Sequence, residues 1–153
     1  DLIMGAEKEA FSTPLRQAIT NYTRQGGNLL LSGSYIGSEM NSPTEMEFTE
    51  NVLKYTHGGS MREITTGNVS GANEHFSFPT QINERTYAVH APDCILPTGG
   101  AYSTFVYTPG NYGAGIAYKG TDYRTFILGF PLESINGVKE RGSIMKAILG
   151  FFR

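Results

Sequence analysis

Asn28-Leu29-Leu30-Leu31-Ser32-Gly33-Ser34-Tyr35-Ile36-Gly37-Ser38 is the stretch that decides the fold. Its apolar run is continuous rather than alternating, as in strands covered on both faces within parallel sheets. Just upstream, Thr13 can cap a helix and Pro14 suits its first turn. Leu15, Ala18, Ile19 and Tyr22 then fall at i, i+3, i+4 and i+7, one apolar stripe. Gly26-Gly27 ends that helix, because glycine takes the left-handed C-terminal conformation without steric cost. Leu2-Ile3-Met4-Gly5, at the start, reads as a strand. Strand, helix, Gly-Gly and buried strand together form a βαβ signature.

Downstream, Ser42 with Glu45, or Thr44 with Glu47, offers a capping box for a second helix. Phe48, Val52 and Tyr55 continue on one face, and Gly58-Gly59 is the expected stop. From Arg62 to about Pro109 short β-prone pieces alternate with Gly, Pro and Asn: Glu63–Thr66, His75–Phe78, Thr86–Val89 and Thr104–Tyr107. Ala114–Tyr118 and Tyr123–Phe130 read as two strands joined by the hairpin-type turn Lys119-Gly120-Thr121-Asp122. Ile144, Met145, Ile148, Leu149, Phe151 and Phe152 mark a last helix. The expected fold is α/β: one flavodoxin-like domain over residues 1–153, with a mainly parallel sheet, helices on both faces and extra antiparallel strands.

The whole-chain numbers agree with one globular unit. At 153 residues the chain can bury a core without metal or disulfide staples. With 39% hydrophobic and 17% charged residues it is globular rather than disordered. A net charge of −2 gives no basic footprint, so nucleic acid is not an expected partner. No apolar run is long enough for a membrane span. Cys94 is the single cysteine, which excludes an internal disulfide. An opening directly in an apolar run, without Met or signal peptide, is expected of a piece of a longer polypeptide. Asn21-Tyr22-Thr23 and Asn68-Val69-Ser70 match the glycosylation triplet, which arises often by chance.

Gly33-Ser34-Tyr35-Ile36-Gly37 has the Gly-x-nucleophile-x-Gly spacing of a nucleophile elbow, where a sharp turn leaves no room for flanking side chains. Its central residue is Tyr35, a poor acyl nucleophile near neutral pH. The two glycines also suit an ordinary strand-to-loop turn. Helix, Gly-Gly, strand and elbow in this order resemble the class I glutamine amidotransferase-like superfamily. In that family the elbow cysteine is activated by the histidine of a late His-Pro-Glu motif after a strand. The matching place here is Phe126-Ile127-Leu128-Gly129-Phe130-Pro131-Leu132-Glu133. Pro131 stands where the histidine would, and Glu133 keeps the glutamate. The resemblance therefore implies a degenerate site, Gly33, Ser34, Tyr35, Gly37, Pro131 and Glu133, with neither nucleophile nor base. It also implies βα units ahead of the segment matching 1–5.

Gly-Gly-Asn-Leu-Leu-Leu-Ser-Gly-Ser-Tyr-Ile-Gly (26–37) and Gly-Phe-Pro-Leu-Glu (129–133) further resemble a domain of large secreted bacterial proteins labelled xanthan lyases. This implies a non-catalytic accessory or interaction domain of a larger carbohydrate-related protein, extracellular or periplasmic. Its partners would be polysaccharide or neighbouring domains of the parent chain. The alternative is an active polysaccharide lyase or hydrolase with a rearranged site near Ser34 and Tyr35. No catalytic residue, cofactor or metal is expected. A nucleotide-binding reading is weaker, because 33–37 lacks the glycine patterns that cradle phosphate.

Two other clusters carry chemistry-bearing types. His90-Ala91-Pro92-Asp93-Cys94 joins imidazole, carboxylate and thiol, but adjacency in sequence rarely creates a catalytic geometry, and the cluster reads as a buried cysteine beside a proline turn. Its residues are too few and too close for zinc, with His57 and His75 far off in sequence. Tyr102, Tyr107, Tyr112 and Tyr118 are candidates for a sugar-stacking platform, or are half-buried strand residues.

Overall fold

The computed structural model describes residues 2–4, 11–61, 66–80, 88–89 and 91–153. The deciding stretch forms strand β2 (Leu29–Gly33), buried along its length. Upstream lie β1 (Leu2–Met4) and α1 (Thr13–Arg24). β2 pairs in parallel with β1, Leu31 opposite Leu2, and with β9 (Arg124–Leu128), Leu30 opposite Phe126. Its leucines alternate between two cores. Leu30 packs with Phe126, Leu128 and, from α3 (Val138–Phe151), Ile144 and Ile148. Leu29 and Leu31 belong with Ile19 of α1, Ile116 and Ile127. Both faces of β2 are thus covered, which is why its apolar run does not alternate.

The rest of the sheet overturns the flavodoxin-like expectation. Its order is β1-β2-β9-β8-β7-β4-β5, with β4 (Thr66–Gly71), β5 (Glu74–Pro79), β7 (Tyr102–Thr108) and β8 (Tyr112–Lys119). Every pairing from β9 outward is antiparallel. The sheet is therefore mixed and mostly antiparallel. The cause is the length of the connections. β4 and β5 are joined by Ala72 and Asn73, both at positive φ, the two-residue hairpin geometry. Short turns also join β7 to β8 and β8 to β9. A parallel neighbour needs a crossover of a dozen or more residues, and the described residues between Tyr55 and Arg124 contain no helix.

A second, separate sheet is an antiparallel ribbon of β3 (Tyr55–Ser60) and β6 (Asp93–Pro97). It lies against β8, where a Cβ on Gly113 would run into the Ile95 carbonyl. Helix α2 (Pro43–Phe48) continues as a π-helical turn, Thr49–Leu53. It stops there, not at Gly58-Gly59, because Lys54 itself takes the left-handed conformation at φ 71°. Tyr55, expected on the helix, is a buried strand residue. Gly59, at φ 123°, instead lies at the ribbon's register shift.

Local signals worked as capping chemistry requires. Ser42 and Glu45 form the capping box. At α1 the cap is Ser12, one residue before Thr13. The α1 stripe is narrower than expected: Ile19 is buried and Leu15 partly so, while Ala18 and Tyr22 are exposed. Of Glu63–Thr66 and Thr86–Val89, only Thr66, Ala88 and Val89 lie within the described residues. Among the described residues no helix is long and apolar enough to cross a membrane.

Candidate functional site

β2 delivers the chain into the turn Gly33–Gly37 at the C-terminal ends of the parallel strands. Ser34 and Ile36 are buried, and Tyr35, half-buried between them, sits at φ 60°. That conformation costs a non-glycine residue roughly 1–2 kcal/mol, so tertiary structure must impose it. From neighbouring β9 the chain passes through Gly129 and Phe130 to Pro131, which leads into a short 3₁₀ turn, Leu132–Ser134. The Leu132 N–H donates to Ser32 Oγ at 3.3 Å. The elbow and Pro131–Glu133 therefore lie side by side, at the C-terminal ends of the neighbouring parallel strands β2 and β9.

The residue that organises this place is Asp93, at the start of β6. Its side chain is fully buried, which is rare for Asp unless its oxygens are satisfied. Oδ2 accepts from Gly37 N–H at 2.7 Å and Ser38 N–H at 3.3 Å. Oδ1 accepts from Ser60 Oγ at 3.1 Å and lies 3.6 Å from His57 Nε2. Its backbone N–H donates to the Gly129 carbonyl at 2.7 Å, and the Tyr107 hydroxyl donates to its carbonyl at 3.0 Å. Tyr55, also buried, donates its hydroxyl to the Ile36 carbonyl at 2.8 Å. The His57 ring packs so closely on Gly37 that a Cβ there would lie 3.0 Å from His57 Cδ2. One residue thus ties the elbow, through its carboxylate, to the ribbon and, through its backbone N–H, to the end of β9.

The electrostatics follow from that placement. The Asp93 carboxylate facing Nε2 raises the His57 pKa, partly opposed by desolvation. Burial holds the Tyr55 and Tyr107 phenols well above their ordinary range. Burial, with Asp93 adding to it, pushes the Cys94 thiol up to about 11. A thiol so placed stays protonated at neutral pH and is no nucleophile.

Ser60, His57 and Asp93 are the residue types of a hydrolytic triad, but not its geometry. In a triad the carboxylate and hydroxyl take opposite imidazole nitrogens. Here Nε2 faces both, at 3.6 Å from Asp93 Oδ1 and 3.4 Å from Ser60 Oγ. Ser60 gives its proton to the carboxylate, not to the ring. The arrangement is a closed triangle suited to bracing a turn.

Of the sequence candidates, Gly33, Ser34, Tyr35 and Gly37 form the turn, with Pro131 and Glu133 beside it. The His90–Cys94 cluster is described only in part, since His90 lies outside the described residues; Cys94 is buried, as expected, and with Asp93 it opens strand β6. The four tyrosines form no common platform. Tyr107 is buried, Tyr102 and Tyr112 are 50% and 53% exposed, and Tyr118 packs on Tyr123 with Lys54 over its ring. Asp93 and His57 were missed as a pair because 36 positions separate them. The available signal was Asp93 opening the β-prone run Asp93-Cys94-Ile95-Leu96 straight after Pro92. Among the described residues no group of three or more His, Cys, Asp or Glu could hold a metal ion.

No protein family and no curated protein matches the sequence. Solved structures do share its fold. The GH42 β-galactosidase Gan42B from G. stearothermophilus is 10% identical with a TM-score of 0.64, covering 98% of this chain and 21% of that one. The exo-β-1,4-mannosidase Op5Man5 from Opitutaceae bacterium strain TAV5 is 10% identical with a TM-score of 0.55, covering 86% and 21%. The mmIFT52 N-terminal domain is 13% identical with a TM-score of 0.56, covering 98% and 76%. None of these three is described as a glutamine amidotransferase. The chain spans about a fifth of the two glycoside hydrolases. At such identities the likeness is one of fold alone.

Proposed function

We propose that this chain is a non-catalytic accessory or interaction domain of a larger carbohydrate-related protein, exported to the cell exterior or periplasm. In this reading it is a degenerate relative of the class I glutamine amidotransferase-like superfamily, as its elbow and late Pro131–Glu133 motif suggest. The observation that carries the reading is the use made of the elbow. Tyr35 stands at its centre, and the nearby Asp93–His57 pair is engaged in bracing backbone. The glycoside hydrolases that share the fold over a fifth of their length support the carbohydrate setting.

Two turnover assays on the purified chain test this: ammonia release from glutamine, and cleavage of xanthan followed by reducing ends and unsaturated uronate. Both should remain at background, with Cys94→Ser indistinguishable from the parent. Ammonia release lost on Cys94→Ser would refute the degenerate site. Xanthan cleavage lost on Ser34→Ala or Tyr35→Phe would establish the rearranged enzyme instead.

A further inference from the structure

On the α1 side of the sheet, α1 and α2 leave an open groove of about 680 Å³ between them. One wall is a polar stripe of α1 that includes Gln17, Asn21 and Arg24, spaced so that they share a helix face. The other wall offers Glu47 and Asn51, and Phe48 lies buried beneath. The walls are tied together. Arg16 spans them, donating to Glu45 Oε1 at 3.1 Å, the Phe11 carbonyl at 2.8 Å and Thr13 Oγ1 at 3.1 Å. Phe11 and Phe48 meet edge-on at 5.5 Å. The walls of the groove are therefore linked by an ion pair and an aromatic contact.

Its chemistry selects a ligand class. Arg16 is matched by Glu45, and the other two charged residues lining the groove, Arg24 and Glu47, are opposite in sign. The walls thus have no excess charge to attract a polyanion. What remains is a set of carboxamides and hydroxyls. Each carboxamide presents two donors beside an acceptor, which matches neighbouring sugar hydroxyls that both give and accept. An open trough rather than an enclosed cavity suits a chain that continues past the site. We infer that this groove binds a neutral oligosaccharide chain. The inference rests on the carbohydrate reading above and adds a place and a charge class to it.

The test titrates the isotope-labelled chain with three probes, mannohexaose, cellohexaose and the anionic oligogalacturonate, followed by NMR amide shifts and calorimetry. A neutral hexasaccharide should shift the amides of α1 and α2, with a Kd of about 0.1–1 mM, ordinary for a weak polar site. The exposed-residue substitutions Asn21→Ala and Asn51→Ala should together weaken it at least about tenfold, with an unchanged spectrum elsewhere attesting the fold. Gln17→Glu serves as a second, charge-introducing variant with the same expected direction. A neutral sugar that binds elsewhere, for instance around Tyr102 or Tyr112, and ignores these variants overturns the groove while leaving the carbohydrate reading standing. Tighter binding of oligogalacturonate, lost on Arg24→Ala, overturns the neutral assignment. Absence of binding by all three probes overturns the groove, while the accessory-domain reading, tested by the turnover assays, stands apart from it.

Discussion

Replacing Asp93 tests whether the elbow is held by its carboxylate. In Asp93→Asn the amide oxygen can still accept from Gly37 and Ser38, while the new NH₂ faces Ser60 and His57, both able to accept. The bonds survive but lose charge assistance. Bonds to charged groups contribute about 1.5–3 kcal/mol each against about 0.5–1.5 for neutral ones. Two such downgrades predict a loss of about 2 kcal/mol. Asp93→Ala leaves the buried Gly37 N–H and its neighbour without an acceptor, at about 1–3 kcal/mol each, and so should cost about 3–5 kcal/mol. For a chain of this length each kcal/mol lowers Tm by about 2–4 °C. Equilibrium urea denaturation followed by circular dichroism and tyrosine fluorescence gives both values. A loss below about 1 kcal/mol for the alanine variant would refute the reasoning, because the cost of burying the carboxylate would then cancel its bonds.

The other predictions concern pH, a turn and the thiol. His57 binds its proton more tightly folded than unfolded. Its contribution is therefore fully present below about pH 6.5, the unfolded value, and is lost as pH rises through the folded pKa. His57→Gln should flatten that decline in midpoint-against-pH curves, and an unchanged slope would count against the Asp93–His57 contact. Ala72→Gly relieves a positive-φ alanine in the β4–β5 hairpin and should stabilise the chain by up to about 1 kcal/mol, read as a raised Tm. Cys94, buried and with its pKa near 11, should react with a disulfide reagent at pH 7.5 only as fast as the chain opens. Rapid labelling of the native protein would contradict its placement.

What could be read from the sequence was whatever short range decides. Ser42, Pro43 and Glu45 are a complete helix start within four residues, and the leucine run of β2 reports two covered faces by itself. What could not be read was partnership between distant strands. The hairpin-type turn Lys119–Asp122 does mark β8 and β9 as antiparallel neighbours, but nothing local in Thr66–Gly71 says that it pairs antiparallel with β7 and so extends the antiparallel part of the sheet. Lys54 hid the end of the second helix, because a left-handed lysine leaves no glycine signature. The same limit concealed the Asp93–His57 pair. Each residue is unremarkable in its own segment, and only the β3–β6 ribbon brings them together.

The Gly37–Asp93 hydrogen bond closes a loop of 56 residues. Closing a flexible loop of that size costs about 3.5 kcal/mol in its length-dependent part alone, so contacts elsewhere must bring the ends together first. The elbow's shape is therefore not encoded in 33–37. A peptide of residues 28–38, or those residues grafted onto another strand, carries the glycines but not the acceptor that bends them. The turn is on loan from a strand that the ribosome makes more than fifty residues later, and during synthesis it must wait, unshaped, for that strand to arrive.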